Sequence, residues 1–333
     1  MITSSTLEGV LAYRMTAWGA PPRTVEAPDP APGPGETLIR VAGCGLCRSD
    51  LTMRHVPEAA GAALGWRMPF TLGHEIAGWV ASTGEPVALV SPASCGACRH
   101  CLRGQDSGCP HGLTGRGYGR DGGLADHVLV DDERALLPLG DLDPRHAGPL
   151  TDAGATAMHA VRRALPRVTP GGTAVVIGAG GLGAFAVQFL RILTAATVVA
   201  VDPSPARRDH ALSIGAHHAT PASGTRDADV VLDFVGTDET ITAGVAAVRT
   251  GGAYGLIGSA GGRLGKPWFS ALPRDGEVFT FQGSSIADAQ DVIGLARAGL
   301  IHNQVEEFAF GEIEQAYARL AAGSLTGRAV IVL

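Results

Sequence analysis

Lysine is nearly missing from this chain: Lys266 is the only one in 333 residues, and every other basic side chain is Arg or His. Charged residues of both signs together reach only 17%, and the formal net charge is -6. A surface for nucleic acid or an anionic membrane normally carries a basic stripe, so neither partner is expected. No apolar run approaches the roughly 20 residues that cross a bilayer. The stretch Met1 to Ala12 has neither the basic n-region nor the apolar h-region of a signal peptide, and a cytoplasmic location is the resulting expectation. Repeats with periods of roughly 20–50 residues are also missing, as are low-complexity tracts. The Pro-rich stretch Ala27 to Gly35 (APDPAPGPG) reads as a connection before a strand.

What is present suffices for two domains, each with its own core: 45% of the residues are hydrophobic. The part before Leu150 is rich in Gly and Pro and has short alternating strands, such as ETLIRVAG (Glu36 to Gly43) and LADHVLVD (Leu124 to Asp131). It reads as a β-rich, loop-heavy domain. After Leu150 the pattern changes. TDAGATAMHAVRRAL has the look of a helix, and strands and helices then alternate: TAVVIG, LGAFAVQFLRIL, TVVAVD, ADVVLDFVG, GGAYGLIG, EVFTFQGS. Continuous apolar strands between helices predict an α/β domain with a parallel sheet covered on both faces. The last segment, GEIEQAYARLAAGSLTGRAVIVL, is a helix and then a strand, which either extends that sheet or returns to the first domain.

GAGGLG, from Gly178 through Gly180, Gly181 and Leu182 to Gly183, fits G-x-G-x-x-G. A Gly-rich turn alone is a weak signal, but here a strand precedes it and a helix follows. Gly178 permits the tight turn, Gly180 lets backbone approach a pyrophosphate, and Gly183 lets the helix pack closely on the strand. The helix N-terminus then faces the phosphates with unpaired N–H groups. Asp202 ends the next strand, roughly 20 residues on, where a carboxylate bonds the ribose hydroxyls of NAD and repels the 2′-phosphate of NADP. NAD is therefore the expected cofactor. Arg207 and Arg208 lie close enough to soften that exclusion, or form a solvated helix face.

Four of the six cysteines lie in SCGACRHCLRGQDSGC: Cys95, Cys98, Cys101 and Cys109. In a reducing compartment such a cluster points to a metal rather than to disulfides. Four thiolates satisfy tetrahedral Zn²⁺ and leave no open position. The alternatives are a redox pair or an iron–sulfur cluster, but the C-P of a ferredoxin run and a second cysteine set are both missing. This zinc is expected to hold a lobe, with the chemistry elsewhere. GCGLCRSD (Gly43 to Asp50) and LGHE (Leu72 to Glu75) supply the other candidates, the Cys47 thiolate and the His74 imidazole. Either alone is an ordinary core residue; beside a cysteine lobe and a nucleotide fold the pair suggests a second zinc.

GLCRSD, GHE, the four-cysteine lobe, DGGLADHV, LTDAGATAMHA, GAGGLG and GRAVIVL follow one another over nearly the whole chain. In this order they resemble a zinc-dependent alcohol dehydrogenase of the medium-chain dehydrogenase/reductase family. The resemblance implies a GroES-like catalytic domain over residues 1–153 with the cysteine lobe at 94–110. It further implies a Rossmann NAD-binding domain over 154–288 and a segment 289–333 returning to the catalytic domain. Cys47 and His74 resemble the first two ligands of the catalytic zinc. Asp152 stands where many members have a third ligand Cys and some bacterial secondary-alcohol dehydrogenases have Asp; its other reading is a helix cap. Glu75 resembles the glutamate close to the zinc, Asp50 the carboxylate that orients the ligating histidine, and Ser49 the hydroxyl that takes the substrate proton. Arg48 and Arg328 resemble arginines that reach the cofactor. Two zinc ions per chain, NAD, a small alcohol or carbonyl substrate, and a homodimer or homotetramer are implied.

Three departures stand out: Thr52 replaces a relay His, with His55 off register; VASTGEPVALVSP is shorter than usual; Leu124 and His127 occupy positions often aromatic or acidic. The competing readings are a polyol dehydrogenase or biosynthetic reductase using the same residues, a non-catalytic nucleotide sensor, and a zinc-free quinone reductase. The retained Cys47, His74 and Ser49 count against the sensor, and the cysteine lobe and GHE motif against the quinone reductase.

Overall fold

The computed structural model describes residues 9–90 and 92–333. Residues 1–8, most of the stretch read above for a signal peptide, and Ser91 in VASTGEPVALVSP lie outside the described residues. The chain divides into two compact units, one made of Met1–Asp152 and Ser285–Leu333, the other of Ala153–Ser284. The resemblance implies boundaries at 153 and 288; these compact units divide at 152 and 284. The division at 284 has a local cause. Ser285 caps the helix Ile286–Arg297 through its side chain, and the Asp106 carboxylate accepts the Ile286 N–H at 3.1 Å. The start of this helix is therefore fastened to the cysteine lobe and belongs with the first unit.

The first unit is built on a β-sheet that runs Leu136–Pro138, Pro86–Leu89, Glu75–Val80, Thr37–Gly45, Arg328–Val332, Val305–Ala309, with His127–Val130 also paired to Thr37–Gly45. The C-terminal strand lies antiparallel to Thr37–Gly45, with Val330 opposite Gly45. Of the two readings of the last segment, return to the first unit is the one observed. Val305–Ala309 and Arg328–Val332 are parallel, joined by the helix Ile313–Ala322. Fully buried Met15, Ile39, Leu46, Phe70, Ile76, Leu124 and Tyr317 form the core. The sequence showed little helical periodicity in the first part, and its helices Arg48–Met53 and Glu58–Ala63 are indeed only six residues each.

The second unit is a parallel sheet in the order His218–Thr220, Thr197–Val201, Thr173–Ile177, Ala228–Asp233, Val248–Leu256, Glu277–Thr280. Its central strands are rich in Val and Ile and buried almost throughout, as parallel strands covered on both faces must be. The strand order reverses between Thr173–Ile177 and Ala228–Asp233, so the crevice for a ligand opens at the carboxyl end of Thr173–Ile177. Gly178–Gly183 begins there. Among the described residues no helix is long and apolar enough to cross a membrane.

Candidate active site

Three places in the first unit deliver the four candidate metal-site residues. Cys47 is the N-cap of the helix Arg48–Met53, just past the strand Thr37–Gly45. His74 and Glu75 follow Gly73, whose φ of +91° turns the chain into the strand Glu75–Val80. A Cβ on Gly73 would lie 2.5 Å from the Cys44 sulfur, so both conformation and space require glycine. Asp152 follows the turn Gly148–Leu150 and immediately precedes the helix Ala153–Ala164. One ligand atom from each of Cys47, His74, Glu75 and Asp152 lies within 4.8 Å of the others.

His74 Nδ1 faces Asp50 Oδ1 at 2.9 Å, which turns Nε2 to the cluster. Asp152 Oδ2 is 3.6 Å from that Nε2, and Ser49 Oγ is 3.5 Å from it. Tetrahedral zinc with bonds of about 2 Å places neighbouring N and O ligands about 3.3 Å apart. The spacing and the donor chemistry, a thiol, an imidazole and carboxylates, both suit that ion. Glu75 adds a second observation: its Oε2 is buried without a hydrogen-bond partner among the described residues, which is the state of an oxygen whose natural partner is a cation.

The charges agree. Burial pushes the Glu75 carboxyl up to about 8, against the opposing pull of Arg328. Burial also pushes the Asp152 carboxyl up, but hydrogen bonding and charge from His74 outweigh it and hold Asp152 well below the usual range. His74 is drawn down by burial and raised well above its ordinary value by Asp50 and Asp152. Three acidic or thiol groups around one imidazole thus create a site for positive charge. Arg328, 6% exposed, donates to the Leu46 carbonyl at 2.9 Å and to Glu75 Oε1. Its guanidinium is held by these groups of the first unit. Arg48 and Ser49 are exposed.

All six cysteines are free thiols. The sulfurs of Cys95, Cys98, Cys101 and Cys109 lie within 4.8 Å of one another. Cys98 and Cys101 Sγ are 3.5 Å apart, far from the roughly 2.05 Å of a disulfide and close to the roughly 3.8 Å edge of a zinc tetrathiolate. The Cys98 N–H donates to Cys95 Sγ at 3.3 Å and the Cys95 N–H to Cys109 Sγ at 3.4 Å. Backbone N–H groups, including those of Ala97 and Cys98, pull the Cys95 thiol down to about 6. These groups favour a thiolate, the form that binds zinc.

In the second unit the helix Gly181–Leu193 has Gly180 as N-cap. Gly178 has φ +84°, and a Cβ on Gly183 would sit 1.8 Å from the Gly178 carbonyl. A Cβ on Gly180 would meet only Arg207, at 3.6 Å, which leaves the mouth of the turn open to a diphosphate. Asp202 lies one residue past the strand Thr197–Val201, not within it, and its side chain is turned inward. It is 2% exposed; Oδ2 accepts the Ala179 N–H at 3.0 Å and Oδ1 the Ser204 N–H at 2.9 Å. Each carboxylate oxygen keeps a further acceptor position.

Two families match: the alcohol dehydrogenase GroES-like domain over residues 33–141 and the zinc-binding dehydrogenase over residues 181–298. The chain is 32% identical over 323 residues to D-arabinose 1-dehydrogenase (NADP(+)) of Saccharolobus solfataricus, covering 91% of each protein. The chain belongs to the zinc-dependent alcohol dehydrogenases of the medium-chain dehydrogenase/reductase family. An NAD-dependent alcohol dehydrogenase of Sulfurisphaera tokodaii is 31% identical over 96% of this chain and 99% of its own. The alcohol dehydrogenase of Aeropyrum pernix superposes with a TM-score of 0.88 at 29% identity, over 97% of this chain and 100% of that one. The dehydrogenase therefore has the GroES-like and Rossmann folds and is an NAD(P)-dependent zinc oxidoreductase of the alcohol/carbonyl class.

Two residues of this dehydrogenase's site went unmarked or undervalued in the sequence. Tyr317 donates to Asp50 Oδ2 at 3.2 Å, across a separation of 267 residues that no local pattern reveals. Tyr118 has its ring centroid 5.9 Å from that of His74. Trp66 packs against Tyr118, whereas Phe269 is fully exposed.

Proposed function

We propose that the dehydrogenase interconverts a secondary alcohol with its ketone, or an alcohol with its aldehyde, using NAD(H). Cys47, His74 and Asp152 are the residues that would hold a catalytic zinc, and Cys95, Cys98, Cys101 and Cys109 those that would hold a structural one. The cluster of four unlike donor groups within 4.8 Å carries this reading. Zinc in the first set supplies Lewis acidity that favours ionisation of an alcohol or polarises a carbonyl. NAD supplies the hydride acceptor.

The chain's own residues do the rest. Ser49 Oγ, 3.5 Å from His74 Nε2, is placed to accept the alcohol proton and pass it outward. Thr52, exposed one turn further along, leaves the outer part of that path to solvent. Asp50 fixes the tautomer and aim of His74. Glu75, paired with Arg328, is a reserve carboxylate beside the metal position. Gly178, Gly180, Gly181, Leu182 and Gly183 present the helix N-terminus to the pyrophosphate, and Asp202 meets the ribose. Arg48 and Arg328 are the further candidates for the cofactor.

A polyol or sugar is the second reading, favoured by the identity to an NADP(+)-dependent D-arabinose 1-dehydrogenase. A cytoplasmic homodimer or homotetramer is the expected state. A panel of secondary alcohols, primary alcohols and sugars, each with NAD⁺ and NADP⁺, separates these readings by the rate of nicotinamide reduction. Zinc analysis of the same protein is expected to give two ions per chain. A content of one, or activity confined to NADP⁺ and sugars, overturns the corresponding part.

A further inference from the structure

The helices Arg48–Met53 and Ile313–Ala322 meet at a small polar face that runs from the surface into the core of the first unit. Each contributes residues one turn apart: Asp50 and Arg54 from one, Glu314 and Tyr317 from the other. They pair twice. Arg54 donates to both oxygens of Glu314, at 2.9 and 2.8 Å. Tyr317 donates its hydroxyl to Asp50 Oδ2 at 3.2 Å, and it must be the donor, because an ionised carboxylate has no proton to give. Tyr317, Asp50 and His74 are 1%, 0% and 4% exposed.

The Asp50 carboxylate is thereby fixed at both oxygens. Oδ2 takes the Cys47 N–H at 3.0 Å and the Tyr317 hydroxyl; Oδ1 faces His74 Nδ1 at 2.9 Å. A terminal carboxylate torsion is broad and two-fold, so one backbone donor alone leaves it free to swing. The second donor, on a rigid ring, removes that freedom. The ring itself is gripped, with the Arg54 guanidinium carbon 4.8 Å from its centroid and the Tyr13 ring at 6.1 Å. Tyr13 in turn donates to Glu314.

We infer that Tyr317 is a positioning residue for the His74 imidazole, acting through Asp50, so that the C-terminal helix helps to set how tightly the catalytic metal is held. This rests on the assignment of His74 as a zinc ligand. A tyrosine that merely fills the core with a satisfied hydroxyl is the alternative, and metal retention distinguishes the two.

The experiment follows zinc release from the full-length, zinc-loaded protein into excess chromogenic chelator. Tyr317→Phe removes one hydroxyl and keeps the ring. Loss of a partner behind a metal-binding histidine costs roughly 10–100-fold in metal affinity; Tyr317 acts one step further out, so release of one zinc about tenfold faster is expected, with the other unchanged. Glu314→Gln disturbs the same packing without touching Asp50 and is expected to release zinc as wild type does. In an Asp50→Asn background, Tyr317→Phe is expected to add nothing, because its route to His74 is already cut. Equal release from Tyr317→Phe and wild type overturns the inference, as does an equal effect of Glu314→Gln, which makes packing the cause. A wild-type protein that binds only one zinc overturns the metal-site assignment instead.

Discussion

The proposed catalytic metal site turns on the carboxylate at position 152. Thiolate donors make zinc electron-rich, and an oxygen donor in place of one leaves a stronger Lewis acid. The Asp152 carboxylate reaches 3.6 Å from His74 Nε2, on the side where a shared ion would sit. Asp152→Asn removes the charge and keeps the shape. We expect it to lower zinc from two ions per chain to one and to reduce turnover roughly 10–100-fold, with cofactor binding intact. If Asp152 only caps the following helix, Asn serves nearly as well; near-normal zinc and turnover then reassign the third ligand, with Glu75 first in line. Asp202 works differently, because its carboxylate also accepts the Ala179 and Ser204 N–H groups. Asp202→Ala should narrow the preference for NAD⁺ over NADP⁺. It should also weaken binding of both, since the Gly-rich turn loses the acceptor of its Ala179 N–H. An unchanged preference in steady-state kinetics shifts the discrimination to Arg207 or Arg208.

Elements carry their own consequences. The cysteine lobe is tied to the rest of its unit by Asp106, which pairs with Arg134 at 3.0 Å and accepts the Ile286 N–H. Losing the lobe's metal therefore reaches the start of the helix Ile286–Arg297. Cys98→Ser should lower the melting temperature by roughly 10 °C, since a structural zinc contributes several kcal/mol to folding. Turnover of the protein that stays folded should change little. A turnover loss without a melting change would make the lobe catalytic. In the second unit, Asp229 on the strand Ala228–Asp233 accepts the Thr169 N–H at 3.0 Å and pairs with Arg249. Burial raises its carboxyl, but the Arg249 and Thr169 hydrogen bonds prevail and hold it below its ordinary value. A folded-state value below the unfolded one means that this contribution is complete above about pH 4 and fades as the pH falls. Asp229→Asn should thus cost about 1–2 kcal/mol at neutral pH and progressively less below pH ~4. Urea unfolding at both pH values checks this, and a pH-independent difference would count against the ion pair.

At the scale of the molecule, what was legible and what was not follow a physical line. The second unit was readable because its signals are local. An apolar run, a Gly-rich turn and an amphipathic stretch each act within one or two elements, and Thr173–Ile177, Gly178–Gly183 and Gly181–Leu193 fall where the pattern sets them. The short strand His218–Thr220 was not foreseen, since three half-exposed residues carry no period. The four-cysteine lobe was legible for the same local reason: its thiols are neighbours in the chain before they are neighbours in space. The division at 284 was not, because the tie of Ile286–Arg297 to the cysteine lobe runs through Asp106, which lies far away in sequence. Residue types and motif order thus determined by themselves the class of fold, the dinucleotide turn and the candidate donors. Only the tertiary structure decided that the last strand returns beside Thr37–Gly45, that Arg328 pairs with Glu75, that Asp202 faces its own turn, and that Tyr317 stands behind Asp50. Those contacts join residues far apart in the chain or depend on which way a buried side chain turns. Such choices are settled by whichever partner leaves the fewest buried polar groups unpaired, and a sequence does not display that comparison until it is folded.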